Sequence, residues 1–352
     1  MRLIFATPGD LSARTGGYGY DRSVIAALPE FNIEIRHVAL EGSFPFPSEA
    51  QAQAAAGAIN AALAPRDVAL IDGLAYGALP EEAIRAITAP VLALCHHPLG
   101  LELGLDPARA QALLRNEAAA LALAAHVIVT SAHTRNALIE DFGVSPQRIT
   151  VALPGTTPAS RASGSGLGTT LLAVGSIIAR KGFDLLVEAL AELKELDWRL
   201  RLVGGAHHAP QTAQALARLI EARGLGARVD WLGEVSAEAL DEIYDSSDIF
   251  VSSSLYEGYG MALAEALARG LPIVTTTGGA CAETAPDGAA LKVPPGDVDA
   301  LREALRRLIL DVDLRRRLSE ASRRAGQKLP HWRDTARTIA RAARAIAPAM
   351  TQ

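Results

Sequence analysis

Two hydrophobic periods alternate along this chain. Short runs of consecutive apolar residues are each followed by a longer stretch in which apolar positions recur every three or four residues. In the first half the runs are RLIF, IEIRHVAL, DVALID, PVLALC, HVIVTS and ITVALP. Between them lie YDRSVIAAL, the Ala/Gln-rich stretch 48–64, PEEAIRAI, PARAQALLRNEAAALALA and AHTRNALIEDF. Continuous apolar runs of this length predict strands buried on both faces, and the amphipathic stretches predict the helices that cover them. The pattern is that of a doubly wound α/β domain with a parallel sheet. A second series of the same kind begins at TTLLAVGS and runs through WRLRLVGG, RVDWLGEV, DIFVSSS, PIVTTT and AALKV. Helices are predicted near 297–311, 313–326 and 331–346.

Between the two series the composition changes. The stretch 154–168, PGTTPASRASGSGLG, is rich in Pro, Gly, Ser and Thr and has little to bury, as in an interdomain linker. The expectation is a Rossmann-like domain over 1–155, a linker over 156–168 and a second Rossmann-like domain over 169–330. Two such domains would face a cleft lined by the carboxyl ends of both sheets. No repeat of 20–50 residues interrupts this plan.

Composition narrows the function. The 352 residues carry 34 Lys+Arg and 39 Asp+Glu, a formal net charge of −5. Residues 1–150 hold 10 Arg, no Lys and 15 acidic residues, so the whole excess lies there. No basic footprint for nucleic acid is present, and an acidic first half argues against docking on an anionic membrane. The arginines after 302 are interleaved with acidic residues at helical spacing, as on a solvated, salt-bridged face. Cys95 and Cys281 stand far apart without metal-ligand spacing and are read as small buried thiols. The apolar run at the N-terminus is broken by Pro8 and Gly9, so it reads as a strand, and no run approaches the roughly 18 residues of a membrane span. A soluble cytoplasmic protein is expected.

The candidate chemistry lies in loops that follow strands. After the first strand, Gly16, Gly17 and Gly19 let backbone approach a ligand at a helix N-terminus, although the loop does not spell the dinucleotide fingerprint. After the fourth strand come His96 and His97. Adjacent residues on a strand point to opposite faces, so one is expected to serve the site and the other to pack. After the first strand of the second half, Arg180 and Lys181 form a compact basic pair. Lys181 is the first of only four lysines, and a compact ammonium suits a crowded phosphate. The stretch LYEGYGMALAEALARG then sets Glu257 beside Gly258, Tyr259, Gly260 and Met261, with Glu265 inside the helix that follows. The glycines bring N–H groups to a helix N-terminus, a seat for phosphate. A carboxylate next to that seat makes sense if it accepts hydrogen bonds from hydroxyls, so Glu257 and Glu265 are read as hydroxyl clamps on either side of it. Glu283, after Gly278 and Gly279, caps its turn or reaches the ligand.

These segments (EGYGMALAEALARGLPIV, GSIIARKGFDLLVEAL, the N-terminal GG loop, CHHP and GGACAE) resemble the family 4 glycosyltransferases in order and spacing. That resemblance implies a retaining enzyme of the GT-B fold, with a terminal helix (331–352) crossing back to the first domain. It implies that Gly16 and Gly17 lie against the donor diphosphate and the transferred sugar. It places His96 beside the reacting sugar, Arg180 and Lys181 on the diphosphate, Glu257 on sugar hydroxyls and Glu265 on the nucleotide ribose. The chain departs from the pattern at Ser176, where many members carry an arginine. The expected activity is transfer from a UDP-, GDP- or ADP-sugar to a small-molecule, glycan or lipid-linked acceptor, with no metal and no other cofactor. The nearest alternative is a sugar-nucleotide epimerase of similar fold. An oxidoreductase or a non-enzymatic two-domain binding protein fits less well.

Overall fold

The computed structural model describes residues 1–348 except 42 and 167. The chain divides into two compact units, the first comprising Met1–Ala13, Gly17–Gly155 and the segment from Pro330 on, the second Arg14–Gly16 and Thr156–Leu329.

The first unit is built from β1 (Arg2–Pro8), α1 (Gly16–Ala27), β2 (Glu34–Leu40), α2 (Glu49–Ala62), β3 (Val68–Asp72), α3 (Gly73–Tyr76), α4 (Glu81–Arg85), β4 (Val91–Cys95), α5 (Pro107–Leu123), β5 (His126–Val129), α6 (Ala132–Glu140) and β6 (Ile149–Val151). Its six parallel strands are ordered β2-β1-β3-β4-β5-β6. Every residue of β3 and β4 is buried, which is why VALID and VLALC read as unbroken apolar runs. β2, at the edge, is exposed or half-buried at every position except Leu40. The Ala-rich α2 starts in a capping box: Ser48 Oγ accepts from Gln51 N, and the Gln51 side chain accepts from Ser48 N.

The second unit contains β7 (Thr170–Val174), α7 (Phe183–Ala191), β8 (Arg199–Val203), α8 (Pro210–Ala222), β9 (Val229–Gly233), α9 (Ala237–Asp245), β10 (Ile249–Ser252), α10 (Met261–Ala268), β11 (Ile273–Thr276), α11 (Cys281–Thr284), β12 (Ala290–Val293), α12 (Val298–Leu310) and α13 (Val312–Gly326). Its strands are also all parallel, in the order β12-β11-β10-β7-β8-β9. Strand order reverses between β7 and β10 here, and between β1 and β3 in the first unit. In doubly wound sheets the loops leaving the strands at such a reversal splay apart and form a crevice.

The terminal helix, α14 (Trp332–Ile346), belongs to the first unit. Its Ala336, Ile339, Ala340 and Ala343 are fully buried, and Thr335 Oγ1 donates to Leu153 O at 2.7 Å. The expected linker is strapped down rather than loose. Gly164 N donates to Asp245 O, Ser163 to the Asp245 carboxylate, and Ser165 Oγ to Asp248 Oδ2, all within the second unit. Both cysteines are free and buried.

Candidate active site

In the second unit, the loops after β7 and β10 meet at the switch point. Leu255 N donates to Arg180 O at 2.8 Å, joining the two loops through their backbones. Arg180 and Lys181 close a short 3-10 turn, Ala179–Lys181, just before α7. Lys181 Nζ donates to Glu257 Oε1 at 2.6 Å, and Ser254 Oγ donates to the same oxygen at 2.6 Å. Arg180 reaches Glu257 Oε2 at 3.3 Å and donates to Tyr256 O at 2.8 Å. Glu257 is buried (7 % exposed). Burial alone pushes its carboxyl up, but the Lys181 and Arg180 charges, with hydrogen bonds from Lys181 and Ser254, outweigh it and hold the group at about 2. The sequence suggested a carboxylate reserved for a ligand's hydroxyls. In the fold it is first the counter-ion of the basic pair, leaving the three side chains with a net charge of +1.

The backbone around Glu257 is set by close approaches. A Cβ on Gly279 would stand 2.3 Å from Glu257 O, where Ala280 N donates at 2.8 Å. Gly279 also has φ +62, so no other residue fits there without strain. Gly258 and the buried Tyr259 lead to Gly260, whose φ of +91 turns the chain into α10. Met261 is the first helical residue, and among the described residues no side chain caps this N-terminus. Its first-turn N–H groups therefore carry the partial positive charge of the helix end toward whatever lies there.

Glu265 sits in the second turn of α10, with its own set of partners. Tyr244, fully buried at the end of α9, donates to Glu265 Oε2 at 2.9 Å. Arg269 donates to Glu265 O, lies 4.5 Å over the Tyr244 ring and pairs with Asp241. Burial raises the Glu265 carboxyl, while the Tyr244 hydrogen bond and the Arg269 charge oppose that rise. Glu283 lies in the one-turn α11, which follows the Gly278-Gly279 loop.

The first unit holds its own cluster. Gly16 and Gly17 open α1, and a Cβ on Gly17 would lie 3.6 Å from His96 Cδ2. His96, just past β4, has its Nε2 3.2 Å from Asp21 Oδ1 and 3.3 Å from Asp72 Oδ2. His97 turns to Glu102, 3.8 Å away. The two histidines thus diverge, with His96 alone entering the cluster at the strand ends. Burial would lower the His96 pKa, but the hydrogen bonds and charges of Asp21 and Asp72 prevail and push it up to about 10. Asp21 is raised to about 6 by burial and by the Asp72 charge. The two shifts belong together: one imidazolium does not neutralise two buried carboxylates, so one of them retains affinity for a proton. Among the described residues only Asp21, Asp72 and His96 cluster closely enough to hold a metal, within 4.8 Å of one another, and only if His96 gave up the proton that ties it to both carboxylates.

Sequence reasoning missed Asp21, Asp72, Ser254 and Tyr244. Asp72 had a visible signal, a carboxylate ending the fully apolar strand VALI. Asp21 and Tyr244 sit in helices and carry no local mark of their partners.

Comparison with known proteins agrees with this architecture. Two family models tile the chain: "Glycosyltransferase Family 4" matches residues 12–160 and "Glycosyl transferases group 1" matches 165–325. The chain belongs to the family 4 glycosyltransferases. Among curated relatives, the MMP alpha-(1->4)-mannosyltransferase of Mycolicibacterium hassiacum is 29% identical over 275 residues, 73% of this chain and 66% of that protein. The matched part amounts to 29–66% of the length of eight curated relatives. Sucrose-phosphate synthase from Thermosynechococcus elongatus superposes with a TM-score of 0.80 at 22% identity, covering 97% of this chain and 98% of that one. Anabaena Alr3699/HepE in complex with UDP-glucose superposes with a TM-score of 0.77 at 17% identity, covering 98% and 100%. These likenesses establish the GT-B fold, and the relatives' names do not favour the epimerase alternative. Among the described residues no helix is long and apolar enough to cross a membrane.

Proposed function

We propose that this protein transfers a glycosyl group from a nucleotide-diphosphate-sugar to an acceptor hydroxyl, with retention at the anomeric carbon. The observation that carries the reading is the switch-point cluster, where Arg180 and Lys181 share a buried Glu257 beside the uncapped N-terminus of α10. Breaking the bond between sugar and diphosphate develops negative charge on the leaving group. Two fixed cations and a helix N-terminus are suited to stabilise it, and their net positive charge serves where a divalent ion otherwise would. Glu257 keeps the cations oriented. Oε1 is filled by Lys181 and Ser254, but Oε2 has only the longer Arg180 contact, so it can also accept a hydrogen bond from a sugar hydroxyl. Glu265, aligned by Tyr244, is the candidate for the ribose hydroxyls. The UDP-glucose complex of the similarly folded Alr3699/HepE supports a nucleotide-sugar donor. Among the described residues no carboxylate is evident as a dedicated base. Proton transfer from the acceptor to the leaving diphosphate on the same face fits retention.

The test is incubation of the full chain with UDP-glucose, GDP-mannose and ADP-glucose, with and without EDTA, following release of nucleoside diphosphate and the anomeric signal of the transferred or hydrolysed sugar by NMR. Release from one donor, insensitive to EDTA and with the anomeric configuration kept, is expected. Thermal shift with UDP, GDP and ADP runs alongside, since a nucleotide at 100-fold its Kd adds about 2.7 kcal/mol of stability. Absence of both binding and release across the panel refutes the reading.

A further inference from the structure

The Asp21–His96–Asp72 cluster is built with more care than a residue that merely packs beside a substrate would need. Its members come from three elements whose carboxyl ends the sheet order places side by side: α1 after β1, the last residue of β3, and the residue after β4. Asp21 is 0 % and Asp72 3 % exposed. Asp72 is fixed twice over, with Oδ1 accepting Leu74 N at 2.9 Å as the cap of α3 and Oδ2 turned to His96. Asp21 Oδ2 is buried and, among the described residues, has no hydrogen-bond partner, so His96 is the one hydrogen-bonded side-chain neighbour of this carboxylate among them. Leaving a carboxylate oxygen in that state is costly unless the charge beside it offsets the loss of water. Tyr20 fixes the ring from its edge, 5.0 Å between centroids, and is itself held by a hydrogen bond to Ala152 O and by packing against Trp332.

We propose that Asp21 and Asp72 are positioning residues for His96. They clamp it by Nε2 and make its Nδ1–H a fixed, charged donor for an oxygen of the transferred sugar, so that His96 serves as a cation and not as a proton-accepting base. This rests on the transferase reading for the identity of the oxygen, while the clamp itself does not. With a proton on Nε2 between two carboxylates, a neutral ring would have to be the Nε2–H tautomer, and the cluster would carry two buried negative charges with nothing to offset them. A second proton on Nδ1 offsets one of those charges, and Nδ1 is the ring nitrogen on which neither carboxylate lies. The groups facing the ring are Asp21 and Tyr20 of α1 and Asp72 of β3. Arg22 acts at longer range on Asp21, both carboxylates help to raise the nearby Tyr18, and the neighbouring His97 is turned to Glu102.

The experiment is two-dimensional NMR of the ¹⁵N-histidine-labelled full chain, with the His96 signals assigned from His96→Gln. The expected result is an imidazolium pattern for His96 persisting at about pH 8, where a free histidine is neutral. Asp21→Asn and Asp72→Asn should each bring its midpoint down. On the donor that turns over, Asp72→Asn should lower kcat about tenfold or more while KM changes less than about threefold, and Asp72→Glu should recover part of the loss. A His96 midpoint near 6.5 in the unmodified protein, or one unmoved by both Asn variants, overturns the clamp. So does stoichiometric Zn²⁺ or Mn²⁺ binding that displaces the His96 signals, since the cluster would then be a metal site. An intact clamp with unchanged turnover in Asp72→Asn overturns the role in transfer. No turnover of any nucleotide-sugar, with the clamp intact, counts against the transferase reading alone.

Discussion

Replacing Glu257 by Gln tests whether this carboxylate is the counter-ion of Arg180 and Lys181. The substitution keeps the size and removes the charge. The Glu257 carboxyl is depressed from 4.5 to about 2, a difference of about 2.5 pH units. At 1.36 kcal/mol for each unit, the charged form is worth about 3 kcal/mol to the folded state at neutral pH. A depressed acid contributes stability that is present above its unfolded value of 4.5 and is lost as pH falls through 2. Between pH 7 and pH 3.5 the unmodified protein should therefore lose on the order of 1 kcal/mol from this group, while Glu257→Gln loses none of it. The variant should be less stable at pH 7, and the gap should narrow by on the order of 1 kcal/mol at pH 3.5, or about 2–4 °C in Tm for a unit of this size. Urea titrations monitored by tryptophan fluorescence, or calorimetric scans that resolve the transition of the second unit, measure both gaps. If the two proteins lose stability in parallel over that range, Glu257 is not held ionised by its neighbours and the account of the cluster fails.

Three further outcomes follow from the geometry. Lys181→Ala should lower kcat/KM for the nucleotide-sugar by about 10²–10³, the 2–4 kcal/mol typical of one lost transition-state contact; a change within about threefold would refute its phosphate role. Tyr244→Phe removes the hydroxyl that orients Glu265 and should weaken binding of the free nucleoside diphosphate about 2–10-fold by calorimetry, the worth of one hydrogen bond; unchanged affinity would separate Glu265 from the ribose. Glu117, whose Oε2 accepts Leu99 N at 2.7 Å below the His96–His97 loop, is pushed up to about 8 by burial. An acid raised in this way makes folding less favourable as pH climbs from 4.5 toward 8, so Glu117→Gln should gain stability relative to the unmodified protein across that window. A constant Tm difference between pH 5 and 8 would contradict it.

The strands and helices were legible because their signals are local. VALID and VLALC declare burial on both faces by being apolar without interruption, and the glycines of EGYGMALAE mark the turn into a helix because only glycine takes the φ that Gly260 needs. The basic pair and both glutamates were readable for the same reason, since residue type and the end of a strand are properties of a few consecutive positions. The family was carried by several such segments occurring in order. Partnership was not legible. Whether Glu257 faces a ligand or Lys181 depends on β10 lying beside β7, which brings residues 76 positions apart to 2.6 Å. Which of two adjacent histidines enters the cluster depends on β4 standing next to β3 and one strand from β1, so that Asp72 and Asp21 flank one of them. Tyr244 looked like an ordinary helix residue until α9 was laid against α10. The sequence by itself determined the two Rossmann-like sheets, the loops that bring charged groups to the strand ends and the kind of group each presents. Tertiary structure alone decided which charges neutralise one another, because strand order in a doubly wound sheet comes from the crossovers between strands and no local period encodes it.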